Sequence, residues 1–234
     1  MQLSIIIPAL NEAETIGATL NRLQSDYRSR PYISEFIVVD GGSEDETVRI
    51  AKDRGALVLE QVPCGRAIQM NKGIEVAKGE ILYFLHSDTS TPPGFAEKII
   101  RAVENGADSG CFQMRFDNRH PVLRFFGWCT RFDLPWFRYG DQSLFVTRRM
   151  FNRSGRFDEH LLVMEDNEFI RRLRKLGNFS ILPDKVVTAA RKYEQTGIMQ
   201  LQLLFVSIVI LYELGASQQV LKDWYTSALR YLGK

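Results

Sequence analysis

With 234 residues, 45% of them hydrophobic and 25% charged, and with ordinary Gly and Pro usage, the chain can bury a sizeable core, which excludes disordered and fibrous classes. Its net charge of +2 hides two opposed stretches: residues 1–114 carry 11 basic and 16 acidic side chains, and residues 115–191 carry 15 and 9. The second stretch is rich in arginine, whose forked guanidinium suits phosphate and carboxylate. Charge alone therefore leaves nucleic acid, a phosphorylated small molecule and an anionic lipid surface open as partners.

The apolar run Leu3–Ile7 ends at Pro8, Phe36–Val39 ends at Asp40, and Ile81–Leu85 ends near Asp88. Each reads as a parallel strand buried on both faces. Helical periodicity fills the gaps at Glu12–Leu23, Asp45–Arg54 and Ala67–Ala77, and Ala56–Leu59 is a shorter strand, so an α/β sheet with crossover helices is expected. Thr91-Pro92-Pro93 is expected to launch a helix through Val103 with Pro at an early helical position. Farther on, Cys111–Phe116, Ser143–Val146 and Lys185–Ala189 read as strands, and Val122–Phe132 and Asp166–Leu176 as helices. Gln200–Tyr231 reads as a helical pair broken at Gly215. The three cysteines, Cys64, Cys111 and Cys129, are too scattered for a disulfide framework or a zinc site and suit a reducing cytoplasm. The residues after Met1 lack a basic leader, so no secretory signal is expected. Leu203–Leu214 is interrupted by Ser207 and Glu213 and falls short of the roughly 20 apolar residues that span a bilayer.

In open α/β sheets ligands bind beyond the carboxyl ends of the strands, and the unusual residues fall there. One strand ends in Pro8-Ala9-Leu10-Asn11-Glu12, one in Asp40-Gly41-Gly42-Ser43, one in His86-Ser87-Asp88-Thr89. Singly, Asn11 and Ser43 read as helix caps and Asp40 as a turn residue; together they mark a site. Gly65-Arg66-Ala67 opens a helix running through Asn71, placing a guanidinium and free N–H groups where an anion is favoured. His86 and Asp88 offer donors to a hard divalent cation that also takes diphosphate oxygens. Glu165 and Asp166 head a helix, where they either complement its dipole or supply a general base. No strand is followed by a Walker-type or Gly-x-Gly-x-x-Gly loop, which argues against P-loop and nicotinamide enzymes.

In order and spacing these motifs resemble the family 2 glycosyltransferases of the GT-A fold, a Rossmann-like, mostly parallel sheet flanked by helices. Tyr139-Gly140-Asp141-Gln142, Leu182-Pro183-Asp184 through Arg191, and Tyr212-Glu213-Leu214-Gly215 are similar to a compact, stand-alone bacterial branch. The resemblance implies one domain over 1–234: a nucleotide-sugar-binding half (1–114), an acceptor and catalytic half (115–191) and C-terminal helices (192–234). It implies that Pro8, Ala9, Glu12, Asp40, Gly65, Arg66, Asn71, Ser87 and Asp88 face a nucleotide-diphosphate sugar, and that Asp141 and Gln142 face the acceptor. Asp88 with His86 would meet Mn2+ or Mg2+, Asp166 would be the base, and Glu165 would support it. His86 departs from the family's usual Asp-x-Asp, a change this branch tolerates, and the processive synthases' Gln-x-x-Arg-Trp is absent.

The expected activity is inverting, metal-assisted glycosyl transfer to a hydroxyl acceptor, lipid-linked or soluble, with no role for nucleic acid. The rivals are a nucleotidyltransferase and a catalytically silent nucleotide-sugar-binding partner protein. The helix after Gln200 is apolar nearly all round, so its surface is covered by the rest of the chain, by a second subunit as a homodimer, or by the inner face of a membrane.

Overall fold

The computed structural model describes residues 1–138 and 142–232. Tyr139, Gly140 and Asp141, the last of them an expected acceptor-side residue, lie outside the described residues.

Four strands, β1 (Leu3–Ala9), β2 (Ile33–Asp40), β3 (Leu57–Leu59) and β4 (Ile81–Phe84), pair in parallel in the order β3-β2-β1-β4. Their apolar runs are continuous because both faces are covered. Ile5, Ile7, Phe36 and Val38 pack into one core with α1 (Ala13–Ser25) and α4 (Phe95–Glu104), through Ile16, Leu20, Phe95 and Ile99. Ile6, Ile37, Val39 and Phe84 pack into a second core with α3 (Arg66–Val76) and α7 (Glu165–Leu176), through Met70, Phe169 and Leu173. The remaining crossover helix, α2 (Thr47–Asp53), packs beside α1.

The sheet continues as β7-β6-β8-β5, with β5 at Thr89–Ser90, β6 at Ser109–Phe116, β7 at Leu144–Thr147 and β8 at Phe179–Thr188. β7 runs antiparallel to both β4 and β6, β8 is parallel to β6, and β5 is antiparallel to β8. The last strand was expected only from Lys185, and it begins at Phe179, before Pro183 and Asp184. The ladder slips past them, pairing Phe112 with Leu182 and Gln113 with Lys185, so proline sits in a bulge where its missing N–H is not needed.

Other expectations are corrected by backbone geometry. Pro92 and Pro93 precede α4 rather than opening it, since Gly94 takes a left-handed φ of 69° immediately before Phe95 and donates its N–H to Asp26 Oδ2 at 2.7 Å. α5 runs Pro121–Cys129 and stops short of Phe132, because the N–H groups of Thr130, Arg131 and Phe132 bond carbonyls three residues back. Two short helices were not foreseen, α6 (Arg148–Ser154) and α8 (Arg191–Thr196). α9 (Ile198–Glu213) buries Leu201, Leu204 and Ile208, and α10 (Gln218–Leu232) packs on it with Tyr225 stacked on Phe205 and Trp224 donating to Ser207 Oγ at 2.9 Å, leaving Leu203, Val206 and Ile210 exposed. Among the described residues no helix is long and apolar enough to cross a membrane.

Gly110 marks the tightest point of the sheet: a Cβ there would lie 2.1 Å from the Ser180 carbonyl oxygen and 2.6 Å from the Phe145 ring. Neither a strand carbonyl nor a buried ring can move aside. Gly110→Ala is therefore expected to cost about 2–3 kcal/mol, the range for overpacked cores, and thermal denaturation showing an unchanged Tm would contradict that packing.

Candidate active site

Register places Ala9 beside Asp40 and Ile6 beside Phe84, so β1, β2 and β4 end at one edge. Polar groups bind these ends to one another. Asp40 is buried and its carboxylate accepts the N–H groups of Gly42 (3.0 Å) and Ser43 (3.1 Å). Asn11 and Ser43 cross-link the two strand ends rather than capping helices: Asn11 N–H donates to Ser43 Oγ at 2.9 Å, and Asn11 Oδ1 accepts from Glu44 N–H at 2.9 Å. Gln69, which sequence reasoning did not single out, donates its amide to the Ala9 and Val39 carbonyls at 2.9 and 2.8 Å. Pro8 is half-buried beside them, and Glu12 accepts the Thr15 hydroxyl at 2.8 Å with Arg191 at 3.8 Å.

Below this edge opens a cavity of about 560 Å³. Gly65, Arg66, His86, Asp88, Glu165 and Asp166 all line it. Gly65 precedes α3 with a φ of 155°, so the first N–H groups of that helix face outward and Arg66 stands at its N-terminus. Met164, at φ 66°, turns the chain sharply into α7 and sets Glu165 and Asp166 in its first turn, at the positive end of the helix dipole. Arg66 Nη1 lies 3.8 Å from Glu165 Oε1 and 3.9 Å from Asp166 Oδ2, so one guanidinium, half exposed, faces two nearly buried carboxylates. The cavity thus joins a site for anionic groups to a carboxylate able to accept a proton.

His86 and Asp88 are half-buried and line the same cavity. Among the described residues no cluster of three or more His, Cys, Asp or Glu surrounds a point that would hold a metal. Within the described residues His86 and Asp88 form a partial donor set, which fits Mg2+ or Mn2+, ions that keep waters and take substrate phosphate oxygens beside one or two protein ligands.

The other expected site residues do not line this cavity. Asn71 is buried and its amide holds the approach to α7, donating to the Phe157 carbonyl (2.9 Å) and Glu159 Oε1 (2.8 Å) and accepting the Phe157 N–H (3.1 Å). Ser87 is buried with its carbonyl accepting the Thr19 hydroxyl at 2.6 Å. Gln142 is buried and accepts from Arg138 Nη1 at 2.5 Å.

The rest of the lining was not anticipated. It is apolar, built from Met114 and Phe116 of β6, Phe126 of α5, Phe137, and Phe205, Ile208 and Val209 of α9, with Lys192, Gln202, Lys222 and Tyr225 among its polar residues. The Lys192 ammonium donates to the Tyr225 hydroxyl and sits 4.7 Å over its ring, joining α8 to α10. Behind this lining lies Arg138, fully buried, donating to the Thr130 carbonyl (2.8 Å), the Phe132 carbonyl and Gln142, while its own carbonyl accepts from Asn167 of α7 (2.9 Å). Burial lowers the Arg138 pKa and pushes the neighbouring Cys111 thiol up to about 12.

The profile of "Glycosyl transferase family 2" matches residues 4–162. Glucosyl-3-phosphoglycerate synthase of Petrotoga mobilis is 30% identical over 127 residues, 50% of this chain and 39% of that protein. Dolichol-phosphate mannosyltransferase of Pyrococcus furiosus is 27% identical over 113 residues, 46% of this chain and 32% of that protein. The chain thus aligns with well under half the length of these relatives. The mannosyltransferase PcManGT from Pyrobaculum calidifontis, solved with GDP-Man and Mn2+, superposes with a TM-score of 0.69 at 18% identity over 99% of this chain and 69% of that one. Its likeness identifies the fold as GT-A, and with the family profile covering more than half of the residues, the chain belongs to glycosyl transferase family 2.

Proposed function

We propose that the chain transfers a sugar, with inversion, from a nucleoside-diphosphate sugar to a hydroxyl acceptor. The observation that carries this reading is the cavity at the carboxyl edge of the sheet in which Arg66 faces Glu165 and Asp166, and which Asp88 and His86 also line. The acceptor oxygen attacks the anomeric carbon as the bond from that carbon to the diphosphate oxygen breaks. Asp166 takes the hydroxyl proton, and Glu165, beside it in the first turn, shares Arg66 with it and helps orient it. Arg66 and the N–H groups opening α3 face the negative charge that gathers on the leaving diphosphate. A divalent cation held by Asp88 and His86 would add Lewis acidity at the same oxygens. One displacement without a protein nucleophile inverts the anomeric configuration.

The nucleotide itself is assigned to the edge formed by Pro8, Ala9, Glu12 and Asp40, with the diphosphate reaching Gly65 and Arg66. The apolar wall suits an acceptor with a hydrocarbon or aromatic portion, in keeping with the lipid acceptor in the name of the Pyrococcus relative. A nucleotidyltransferase would instead attack phosphorus, and the absence of any Gly from Pro8 to Glu12 argues against it.

A thermal-shift panel of UDP, GDP, dTDP and their sugars, with and without Mn2+, tests the donor class, because a ligand bound only by the native state raises stability by RT ln(1 + [L]/Kd). One nucleoside diphosphate should stabilise the protein, more so with Mn2+. Asp88→Ala should remove the Mn2+-dependent part of that shift and leave the nucleoside's own contribution. Equal loss for diphosphate and nucleoside would make Asp88 a loop residue only.

A further inference from the structure

We propose that α5 and the turn after it, residues 119–136, dock on an anionic lipid bilayer. The segment exposes Phe125, Trp128, Phe132, Leu134 and Trp136, each between 41% and 57% accessible. Three of the rings form one surface: Phe125 stacks on Trp128 at 6.3 Å, and Trp128 meets Phe132 edge-on at 4.7 Å. They are surplus to the core, since the inner stripe of α5 is already filled. Leu123, Gly127 and Cys129 are buried, and the Thr130 hydroxyl clasps the helix to β6 by accepting the Met114 N–H (2.9 Å) and donating to the Gly127 carbonyl (2.7 Å). A monomeric soluble surface seldom leaves so many large aromatic side chains together.

Charge decides the occupant. Arg119, Arg124 and Arg131 are exposed around these rings, and the Arg131 guanidinium lies 5.1 Å over the Trp128 ring. The nearby acids are engaged: Asp133 pairs with Arg174 at 2.9 Å, and Asp117 accepts the Ala190 N–H at 2.7 Å. Aromatic rings flanked by arginines match the depth and charge of anionic headgroups. The exposed face of α9 has no such complement, because Ile198–Glu213 contains no Lys or Arg. Docking here places the membrane contact on α5, within the Arg-rich stretch, rather than on the exposed face of α9. The position is also apt for the cavity, since Phe126, between the outward Phe125 and Trp128, lines its apolar wall. A bilayer at α5 would present lipid-borne acceptors to that side.

The test uses the full chain without donor or acceptor, so its result is independent of the transferase reading. Co-sedimentation is measured with phosphatidylcholine vesicles, with and without phosphatidylglycerol, at low and high NaCl, alongside light scattering of the protein alone. Binding should require phosphatidylglycerol and weaken with salt. Arg124→Gln with Arg131→Gln should reduce partitioning about 25-fold, roughly fivefold per arginine. Phe125→Ser with Trp128→Ser should reduce it about tenfold or more. Both double variants should keep the parent's Tm, because every changed side chain is exposed. Failure to bind anionic vesicles, unaltered binding by the variants, or a salt-insensitive dimer abolished by the Phe125/Trp128 pair would overturn the proposal, the last in favour of a second copy as occupant.

Discussion

Asp166→Asn is expected to lower glycosyl transfer by about 10²- to 10⁴-fold, the usual worth of a positioned general base, while nucleoside-diphosphate binding stays within a factor of two or so of the parent, since one neutral amide removes only part of a shared ion pair. The amide keeps the size of the carboxylate and its place in the first turn of α7, but it cannot take the acceptor proton. The alternative role, complementing the helix dipole, predicts about 0.3–1 kcal/mol of lost stability and no kinetic defect. Steady-state kinetics together with a nucleotide titration separates the two. Transfer near the parent rate would remove Asp166 from the chemistry and shift attention to Glu165, 3.8 Å from the same guanidinium.

Arg138→Met should be the most destabilising single change on the acceptor side. The buried guanidinium ties the Thr130 and Phe132 carbonyls to Gln142; methionine leaves the Thr130 carbonyl and the Gln142 amide oxygen without this donor in a buried setting, while the Phe132 carbonyl keeps the Leu134 N–H at 2.9 Å. At about 1–3 kcal/mol for each stranded buried group, a loss of about 4 kcal/mol is expected, which for a chain of this size lowers Tm by roughly 8–16 °C. Arg138→Lys should recover little, because an ammonium cannot reproduce the planar fork. Differential scanning calorimetry checks both variants, and a Tm within a degree or two of the parent would show that the carbonyls find other partners.

The legible part of the fold is the part whose physics is local. β1, β2 and β4 announce themselves because strands covered on both faces must be apolar at successive positions, and their polar ends are conspicuous for the same reason. Glu165, Asp166 and Arg66 were legible because helix starts have a chemistry of their own, and the structure does bring them to one cavity. β8 was half-hidden because Pro183 signals a break, whereas the β6 ladder steps over it. α6 was hidden by its seven-residue length, although Thr147 caps it by accepting the Met150 N–H at 3.2 Å. Asn71 was read as facing the donor, and its amide is held by Phe157 and Glu159, more than eighty residues away. The apolar wall was illegible for the same reason: Phe126, Phe137 and Phe205 look like core residues locally and become a cavity lining only when α5, α9 and α10 assemble. Arg138 left no local sign, since an arginine in an Arg-rich stretch gives no hint that its partners are carbonyls inside the fold.

In the proposed reaction the bond between the anomeric carbon and the diphosphate oxygen breaks, with inversion, in the cavity lined by Arg66, Asp88 and Asp166. Time-resolved proton and phosphorus NMR tests it most directly, on the α-linked donor that the thermal-shift panel selects, incubated with the parent chain and with Asp166→Asn. The account predicts intact nucleoside diphosphate as one product, a β-configured sugar as the first-formed other, and a parent rate far above that of the variant. Nucleoside monophosphate with sugar phosphate, an α-configured sugar formed first, or equal rates for the two proteins would contradict it.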